Sequence, residues 1–496
     1  FWWVGLGAVA LGFQILAGHI EFTIYTLLVM AAYAAWRLAV HWWQSDNRSP
    51  FTVHRLPKTA ASLLAMVLLG LLLGAVQLLP LYELGQVNFR QESATFAEVM
   101  DYGFPARRIL TLALPNFFGN PTHHSYTDVF SGQEVALSQN YYGESKTNTE
   151  WGIKNYVEGA IYLGILPLFL AALGVLGSWR RRKTHVGFFA VLSFFSLAFI
   201  FGTPLYAILY YGLPFVNQLH TPFRWVFPLS LAVAVLAGFG VESLEEWRVG
   251  NVDAKAQRGK GLKEKRLSFA SSNALRSFDL AQDKPLRQKL YLFPAAGGIL
   301  LLVGLAVSWG MYGRFQPIIE RLFLGLAGAP FAFADATAFY SYTFWQLLTL
   351  GVVLLGVAVV LWLSGKGGKR PYWIIAATFL IITDVFLANR GFNASNDPAL
   401  LDFKPEMVQW LEAQPGHWRI TSFAPNGDKP FNANSGWLFD LPDVRGYDSI
   451  IPKQYTEYMA AVEPQNELPF NRVQPIANWE ALNSPLLDVL GVKYVI

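Results

Sequence analysis

Several stretches of this chain run the length of a bilayer crossing without one Asp, Glu, Lys or Arg: residues 59–82, 159–179, 186–219, 290–313 and 336–365. Hydrocarbon is crossed by about 20 apolar helical residues, because backbone groups in lipid must be bonded within their own helix. Shorter runs at 1–18, 22–36, 225–241 and 371–388 bring the reading to nine spans. Composition agrees, with 53% hydrophobic and 15% charged residues among 496 and a mean hydropathy of +0.32. A soluble chain carries about 25% charge. The expected fold is therefore mainly α, a polytopic transmembrane helix bundle with long outer loops. The chain has no cysteine, which excludes disulfides, thiolate metal sites and cysteine nucleophiles. A net charge of +4 is too small a bias to argue for nucleic acid. The first residue, Phe1, stands inside an apolar run with no basic leader, which reads as a fragment or a processed chain.

Charge between the spans sets the expected orientation. Basic residues gather at 37–58 (Arg37, Arg48, Arg55, Lys58), at 180–183 (Arg180, Arg181, Arg182, Lys183), along 245–289 and at 366–370 (Lys366, Lys369, Arg370). Nine spans place these four segments on one side, which the positive-inside rule makes cytoplasmic. The inner segment 245–289 is rich in Lys, Ser, Gln and Gly, lacks apolar periodicity and reads as a flexible insertion. The outer side then receives the 83–157 loop and the whole tail from Asn389. A transmembrane domain over 1–390 and an extracytoplasmic α/β domain over 391–496 follow. A helix at 405–413 and strands at 418–423 and 492–496 are expected in that tail. The chain ends in mid-strand, which suggests that this domain is truncated.

Candidate chemistry lies on the outer side. His19 and Glu21 separate the first two spans, either as an interfacial turn or as the lining of a polar pocket. The 83–157 loop carries Arg107, Arg108 and the turn-forming run Pro115-Asn116-Phe117-Phe118-Gly119-Asn120-Pro121. Its aromatic residues, scattered carboxylates and asparagines suit carbohydrate, and equally an interfacial aromatic belt. His123, His124 and Asp128 have metal-ligand side chains. Adjacent histidines do not converge from regular structure and no H-x-x-x-H spacing exists, so no metal site is assigned. Glu158 opens the fourth span, where a helix dipole stabilises a carboxylate. Arg224 opens the sixth span, either snorkelling or clamping a phosphate in bidentate fashion, with the clamp preferred. Asp384 lies deep in the last span, where a polar bond between helices is the favoured role. No P-loop, Rossmann glycine pattern or Ser/His/Asp signature occurs, so an activated substrate would arrive through the bilayer.

Taken in order, Leu16-Ala17-Gly18-His19, Gln77-Leu78-Leu79-Pro80-Leu81-Tyr82-Glu83, Leu114-Pro115-Asn116-Phe117-Phe118-Gly119 and Tyr162-Leu163-Gly164-Ile165-Leu166-Pro167 form one series. Pro222-Phe223-Arg224, Asn389-Arg390-Gly391-Phe392-Asn393, Asp443-Val444-Arg445-Gly446-Tyr447-Asp448 and Leu490-Gly491-Val492-Lys493-Tyr494 continue it. With this series the chain resembles the YfhO-like bacterial multi-pass membrane proteins, whose architecture is similar to that of GT-C glycosyltransferases. The resemblance implies a bacterial inner-membrane protein that transfers a sugar from a polyprenyl-phosphate donor to an envelope polymer or glycolipid on the outer face. It implies a metal-optional mechanism, in which a divalent metal is admissible but not required, and a base in a loop upstream of Phe1. On that reading Arg224, helped by Arg107 or Arg108, stabilises the departing phosphate, and His19, Glu21 and Glu158 shape the pocket. His220 departs from the basic residue the family often carries before Pro-x-Arg. A flippase for lipid-linked saccharides and a non-catalytic envelope-assembly subunit stay open as alternatives.

Overall fold

The computed structural model describes residues 2–44, 50–88, 95–152, 156–157, 159–213, 216, 221–259, 289–366, 372–393, 397–426, 430–448, 450–466, 468 and 472–496. Glu158, His220, Arg48, Lys369, Arg370 and most of the 245–289 segment lie outside the described residues.

In chain order the helices are α1 (Trp2–Leu16), α2 (Ile20–Gln44), α3 (Pro50–Leu73), α4 (Ala75–Gln86), α5 (Phe96–Asp101), α6 (Ile165–Ile200), α7 (Ala207–Gly212) and α8 (Val226–Gly259). There follow α9 (Leu292–Gly310), α10 (Tyr312–Gly325), α11 (Ala336–Gly365), α12 (Tyr372–Asn389), α13 (Ala399–Asp402), α14 (Glu406–Glu412), α15 (Lys453–Val462) and α16 (Pro485–Val489). The strands are short: β1 (Ser125–Thr127) pairs antiparallel with β2 (Glu134–Ala136), and β3 (Arg419–Thr421) pairs parallel with β4 (Val492–Val495).

Among the described residues six helices are long and apolar enough to cross a membrane: Ile20–Trp43, Lys183–Ile200, Pro222–Glu246, Leu292–Gly310, Ala336–Gly365 and Tyr372–Asn389. The pair Pro57–Leu73 and Ala75–Gln86, bent by 72°, makes a seventh if it is one span. Trp2–Leu16 and Ile165–Ser178 are apolar but shorter. These helices leave large apolar side chains uncovered, Leu300 at 72% and Phe379 at 70% exposure among them. A helix apolar all round has no stable place in water. The chain is a mainly helical, multi-pass membrane protein.

The chain divides into two compact units. Unit 1 comprises 1–23, 47–95 and 395–496. In it α1 and α3 meet through small residues, since a Cβ at Gly12 would fall 2.8 Å from Leu73 and one at Gly70 2.7 Å from Leu11. Missing side chains let two backbones approach, the usual way helices pack where lipid offers no hydrophobic drive. The tail builds a small core from Val408, Leu411, Ile420, Phe431 and Leu441. The Lys453 amide, at the start of α15, donates to the Val87 carbonyl just past α4 (2.7 Å).

Unit 2 comprises 24–46 and 96–394. Here α6 and α8 pack backbone to backbone, a Cβ at Gly174 or at Gly240 standing 2.0 Å from the facing carbonyl of Leu236 or Leu170. The Ser178 and Ser243 hydroxyls bond across the same seam (2.8 Å). The helical run Ile165–Ile200 is not a straight rod. Leu170 abuts Gly240 while Phe199 stacks edge-on against Trp225. Those partners, Gly240 in α8 and Trp225 in the turn just before it, are 15 residues apart, about 22 Å along a helix, whereas the 29 residues from 170 to 199 of a straight helix would span about 44 Å. The apolar stretches of α6 are Ile165–Ser178 and Lys183–Ile200, and the sequence places a basic run between them. Helices α11 and α12 complete the unit, with Val353, Val357, Val360 and Trp373 in the core they share with Leu166 and Leu170 of α6.

Candidate functional site

The segment 96–164 folds over one end of the unit 2 helices, and its turn run sets the geometry. Gly119 has φ +78°, and a Cβ there would lie 1.8 Å from the Thr149 carbonyl oxygen. Only glycine permits both the left-handed turn and that approach. The closeness lets the Trp151 amide reach the Phe118 carbonyl (2.9 Å) and the Asn120 amide reach Thr149 Oγ1 (3.0 Å). Around it pack Phe118, Trp151, Phe323, Phe333 and Phe339.

Next to this turn lies a chamber of about 560 Å³. One face of α11 supplies Tyr342, Trp345, Gln346, Thr349, Leu350 and Val353, positions repeating every three to four residues as one side of a helix must. From Tyr342 to Val353 that face descends about 16 Å. The end of α12 adds Asp384, Leu387 and Ala388, followed by Arg390 and Gly391. Ala113, Pro115, Asn116, His123, Ser125, Thr127, Glu134 and Tyr162 close the loop side. The wall is thus polar near the loops and apolar deeper along α11.

Buried polar groups cost free energy unless paired, and many of those at this site are linked. Asn120 Nδ2 donates to Asn116 Oδ1 (3.2 Å) and to the Tyr156 hydroxyl (2.9 Å), and that hydroxyl donates in turn to Asn116 Oδ1. Asn116 Nδ2 reaches the Ala388 carbonyl (3.3 Å), and Gln346 Nε2 reaches the Asn116 carbonyl (3.1 Å). Thr149 Oγ1 donates to the Tyr342 hydroxyl (3.3 Å), which shares a hydrogen bond with His123 Nδ1 (3.0 Å). Burial, and then the neighbouring His124, lower the His123 pKa, so the ring is neutral at neutral pH. Burial followed by the Glu150 charge pushes the Tyr156 hydroxyl up to about 12, so it stays a donor. On the hairpin, Ser125 Oγ donates to Glu134 Oε1. Trp345 Nε1 fixes the hairpin to α11 through the Thr127 carbonyl (2.9 Å).

Of the residues singled out from sequence, Asp384 lines the chamber. It is 3% exposed and accepts hydrogen bonds from the Tyr162 hydroxyl and from the Ile165 amide (2.9 Å), the first residue of α6. A carboxylate at a helix N-terminus meets both an orphan donor and the positive dipole end. Arg107 is turned to the Ala327 carbonyl (2.9 Å) and lies over the Phe118 and Trp151 rings. Arg108 is buried, stacks over Phe104 and reaches the Gly159 carbonyl (3.4 Å). Burial lowers its pKa, against the pull of Glu150. It lines a separate cavity of about 160 Å³ with Tyr156, Tyr162 and Phe392. Arg224 is half-buried in the short 3-10 turn Pro222–Trp225, beside the stacked Phe104 and Phe223 rings, and does not line the chamber. His19 is exposed with its ring against Phe22, and Glu21 is buried; both belong to unit 1.

The sequence reading passed over Arg390, Glu134, Tyr342 and Gln346 as site residues. A glutamine inside an otherwise apolar span was the one local signal, since such a group must find a partner there. His124 and Asp128 serve the loop, whereas His123 reaches Tyr342 of α11 and lines the chamber. His124 Nδ1 meets the Thr147 carbonyl (2.6 Å), and Asp128 Oδ1 accepts from the Phe130 and Ser131 amides, which hold its carboxyl below the usual range. Among the described residues no group of three or more His, Cys, Asp or Glu side chains is arranged to hold a metal ion.

Fold and chamber together define a class, a multi-pass helical membrane protein with a polar-to-apolar cleft at one end of its helices. Comparison with known protein families, with characterised proteins and with solved structures finds no match.

Proposed function

We propose that the chain is a GT-C-type, YfhO-like membrane glycosyltransferase whose chamber receives a polyprenyl-phosphate-linked sugar. The observation that carries this reading is the graded wall. Leu350, Val353 and Leu387 offer an apolar surface for the first isoprene units, while Asn116, His123, Gln346 and Glu134 offer hydrogen-bonding groups for a sugar. Arg390, the cation among the described lining residues, takes the phosphate, a role that planar guanidinium geometry suits. In the transfer step an acceptor hydroxyl oxygen bonds to the anomeric carbon as the bond from that carbon to the phosphate oxygen breaks. The hydroxyl proton passes to a carboxylate, for which Glu134 is the exposed candidate of this wall. The negative charge gathering on the leaving phosphate is met by Arg390. Arg224, Arg107 and Arg108 lie off the lining and act, in this reading, on the surrounding loops. Nine spans, a bacterial inner-membrane location and an extracytoplasmic α/β tail complete it, with an envelope polymer or glycolipid as acceptor.

The test is photocrosslinking of a polyprenyl-phosphate sugar bearing a diazirine in its first isoprene unit, with the protein reconstituted in liposomes. Label is expected on α11 between Trp345 and Val353. Arg390→Ala is expected to lower turnover at least tenfold while the protein stays folded. Label spread evenly over lipid-facing helices, or unchanged turnover in Arg390→Ala, overturns the reading. The 72° bend between Pro57–Leu73 and Ala75–Gln86 favours a second reading, a flippase, because transporters place broken helices at their binding sites. Donor moved across the liposome membrane without a glycosidic product selects that alternative.

A further inference from the structure

Arg108 carries a buried charge that the described residues leave unmatched. It is 4% exposed, and its guanidinium bonds the Gly159 carbonyl through Nη1 alone, at 3.4 Å, with its face over the Phe104 ring. Among the described residues no carboxylate forms an ion pair with it, and Glu150 attracts it only from farther away. Nε and Nη2 make no hydrogen bond to the described residues, yet neither is sealed in by its neighbours. A charge out of water without a partner is far more costly than a paired one.

Arg108 lines the cavity of about 160 Å³ beside the chamber. Pro115, Tyr162 and Ala388 stand in both linings, so the two spaces adjoin within unit 2. No Asp or Glu is among the described lining residues of the smaller one. Gly159 and Ile161 form part of its wall. Both are buried, Ile161 at 1% exposure, and neither amide has a hydrogen-bond partner among the described residues. Buried amides are paired in the great majority of cases. The Tyr156 and Tyr162 hydroxyls, by contrast, already donate to Asn116 and Asp384.

An unmatched guanidinium edge and two amides short of an acceptor share one small space. We propose that this cavity binds a free inorganic oxyanion of the phosphate or sulfate kind. Arg108 Nε and Nη2 take two of its oxygens, and the Gly159 and Ile161 amides are donors for the others. A halide offers a single acceptor centre, whereas the flat guanidinium edge matches two oxygens of one anion. The cavity is smaller than the roughly 300 Å³ at which sites for drug-sized ligands begin, too small for a sugar with its lipid chain. The site does not depend on what the chamber binds.

The test uses the full chain in detergent carrying Arg390→Gln, which removes the cation of the chamber so that phosphate held there does not enter the reading. Inorganic phosphate, sulfate, chloride and geranyl phosphate are titrated at fixed ionic strength. Binding is read by calorimetry and by the Ile161 amide resonance in isoleucine-labelled protein. Phosphate and sulfate are expected to bind one to one, at least tenfold more tightly than chloride, and to move that resonance. Geranyl phosphate, the same group on a lipid chain, is expected to leave it in place. Adding Arg108→Lys, which keeps the charge and loses the fork, should weaken phosphate at least fivefold. The Ile161 resonance reads the site with Arg108 intact, so it decides the matter even where an Arg108 variant does not fold. The proposal is overturned if phosphate leaves the resonance unmoved, if chloride matches phosphate, if geranyl phosphate displaces phosphate, or if folded Arg108→Lys binds as tightly as its parent.

Discussion

Replacing Asp384 asks whether its carboxylate holds two helices together. Its oxygens satisfy two buried donors, the Tyr162 hydroxyl and the Ile165 amide at the first turn of α6. Asp384→Ala leaves both without an acceptor, at about 1–3 kcal/mol for each orphaned group, so about 2–6 kcal/mol in all. Asp384→Asn keeps an oxygen for the Ile165 amide and turns its NH2 toward the Tyr162 oxygen, trading charge-assisted bonds for neutral ones at about 1–2 kcal/mol. Tyr162→Phe removes one donor outright. In that background Asp384→Ala orphans only the Ile165 amide, and its cost falls by about 1–3 kcal/mol, a coupling that a double-mutant cycle measures. The assay is thermal unfolding of wild type, Asp384→Asn and the three variants of the cycle in one detergent, with midpoints ordered wild type, Asn, Ala. Additive costs for Asp384→Ala and Tyr162→Phe, or equal midpoints for Ala and wild type, would refute the reasoning.

Three further outcomes follow from other contacts. Gly119→Ala must place a Cβ against the Thr149 carbonyl at positive φ, which costs about 1–2 kcal/mol in backbone strain before any hydrogen bond is lost; amide exchange at Asn120 and Trp151 should rise, and unchanged protection there contradicts the turn described. For His123, whose folded pKa lies below the free value near 6.5, the unfolded chain binds the extra proton in the window between the two. Stability is therefore complete above that window and is lost as the pH falls through it, so exchange across residues 120–149 should quicken as the pH falls below the free value near 6.5, and His123→Asn should flatten the change. Gly240→Val drives a side chain into the Leu170 carbonyl, already 2.0 Å from a bare Cβ, and should separate α6 from α8; disulfide trapping between cysteines placed at Ser178 and Ser243 would report it, and undiminished trapping would speak against the close seam.

How much of the site was readable beforehand differs from residue to residue. The run 115–121 was legible as a turn because proline, glycine and asparagine act locally. Asp384 was legible as unusual because any carboxylate within an apolar span is costly. Arg107 and Arg108 were legible only as charges. As charges in a loop they suited a phosphate, yet carbonyls and rings of their own unit engage both. Phe104 lies only four residues before Arg108, but nothing near Arg107 in sequence announces the distant Ala327 carbonyl as its partner.

Local chemistry and composition thus determined the membrane character, the apolar helices and the glycine turn, since each is a property of a few adjacent residues. Tertiary structure alone decided the chamber. His123 meets Tyr342 across 219 residues and Tyr162 meets Asp384 across 222. Which side chains share a cavity follows from how α6, α11 and α12 seat against the 96–164 segment. That seating is a sum of many weak packing contacts, none of which is written in any one stretch of sequence.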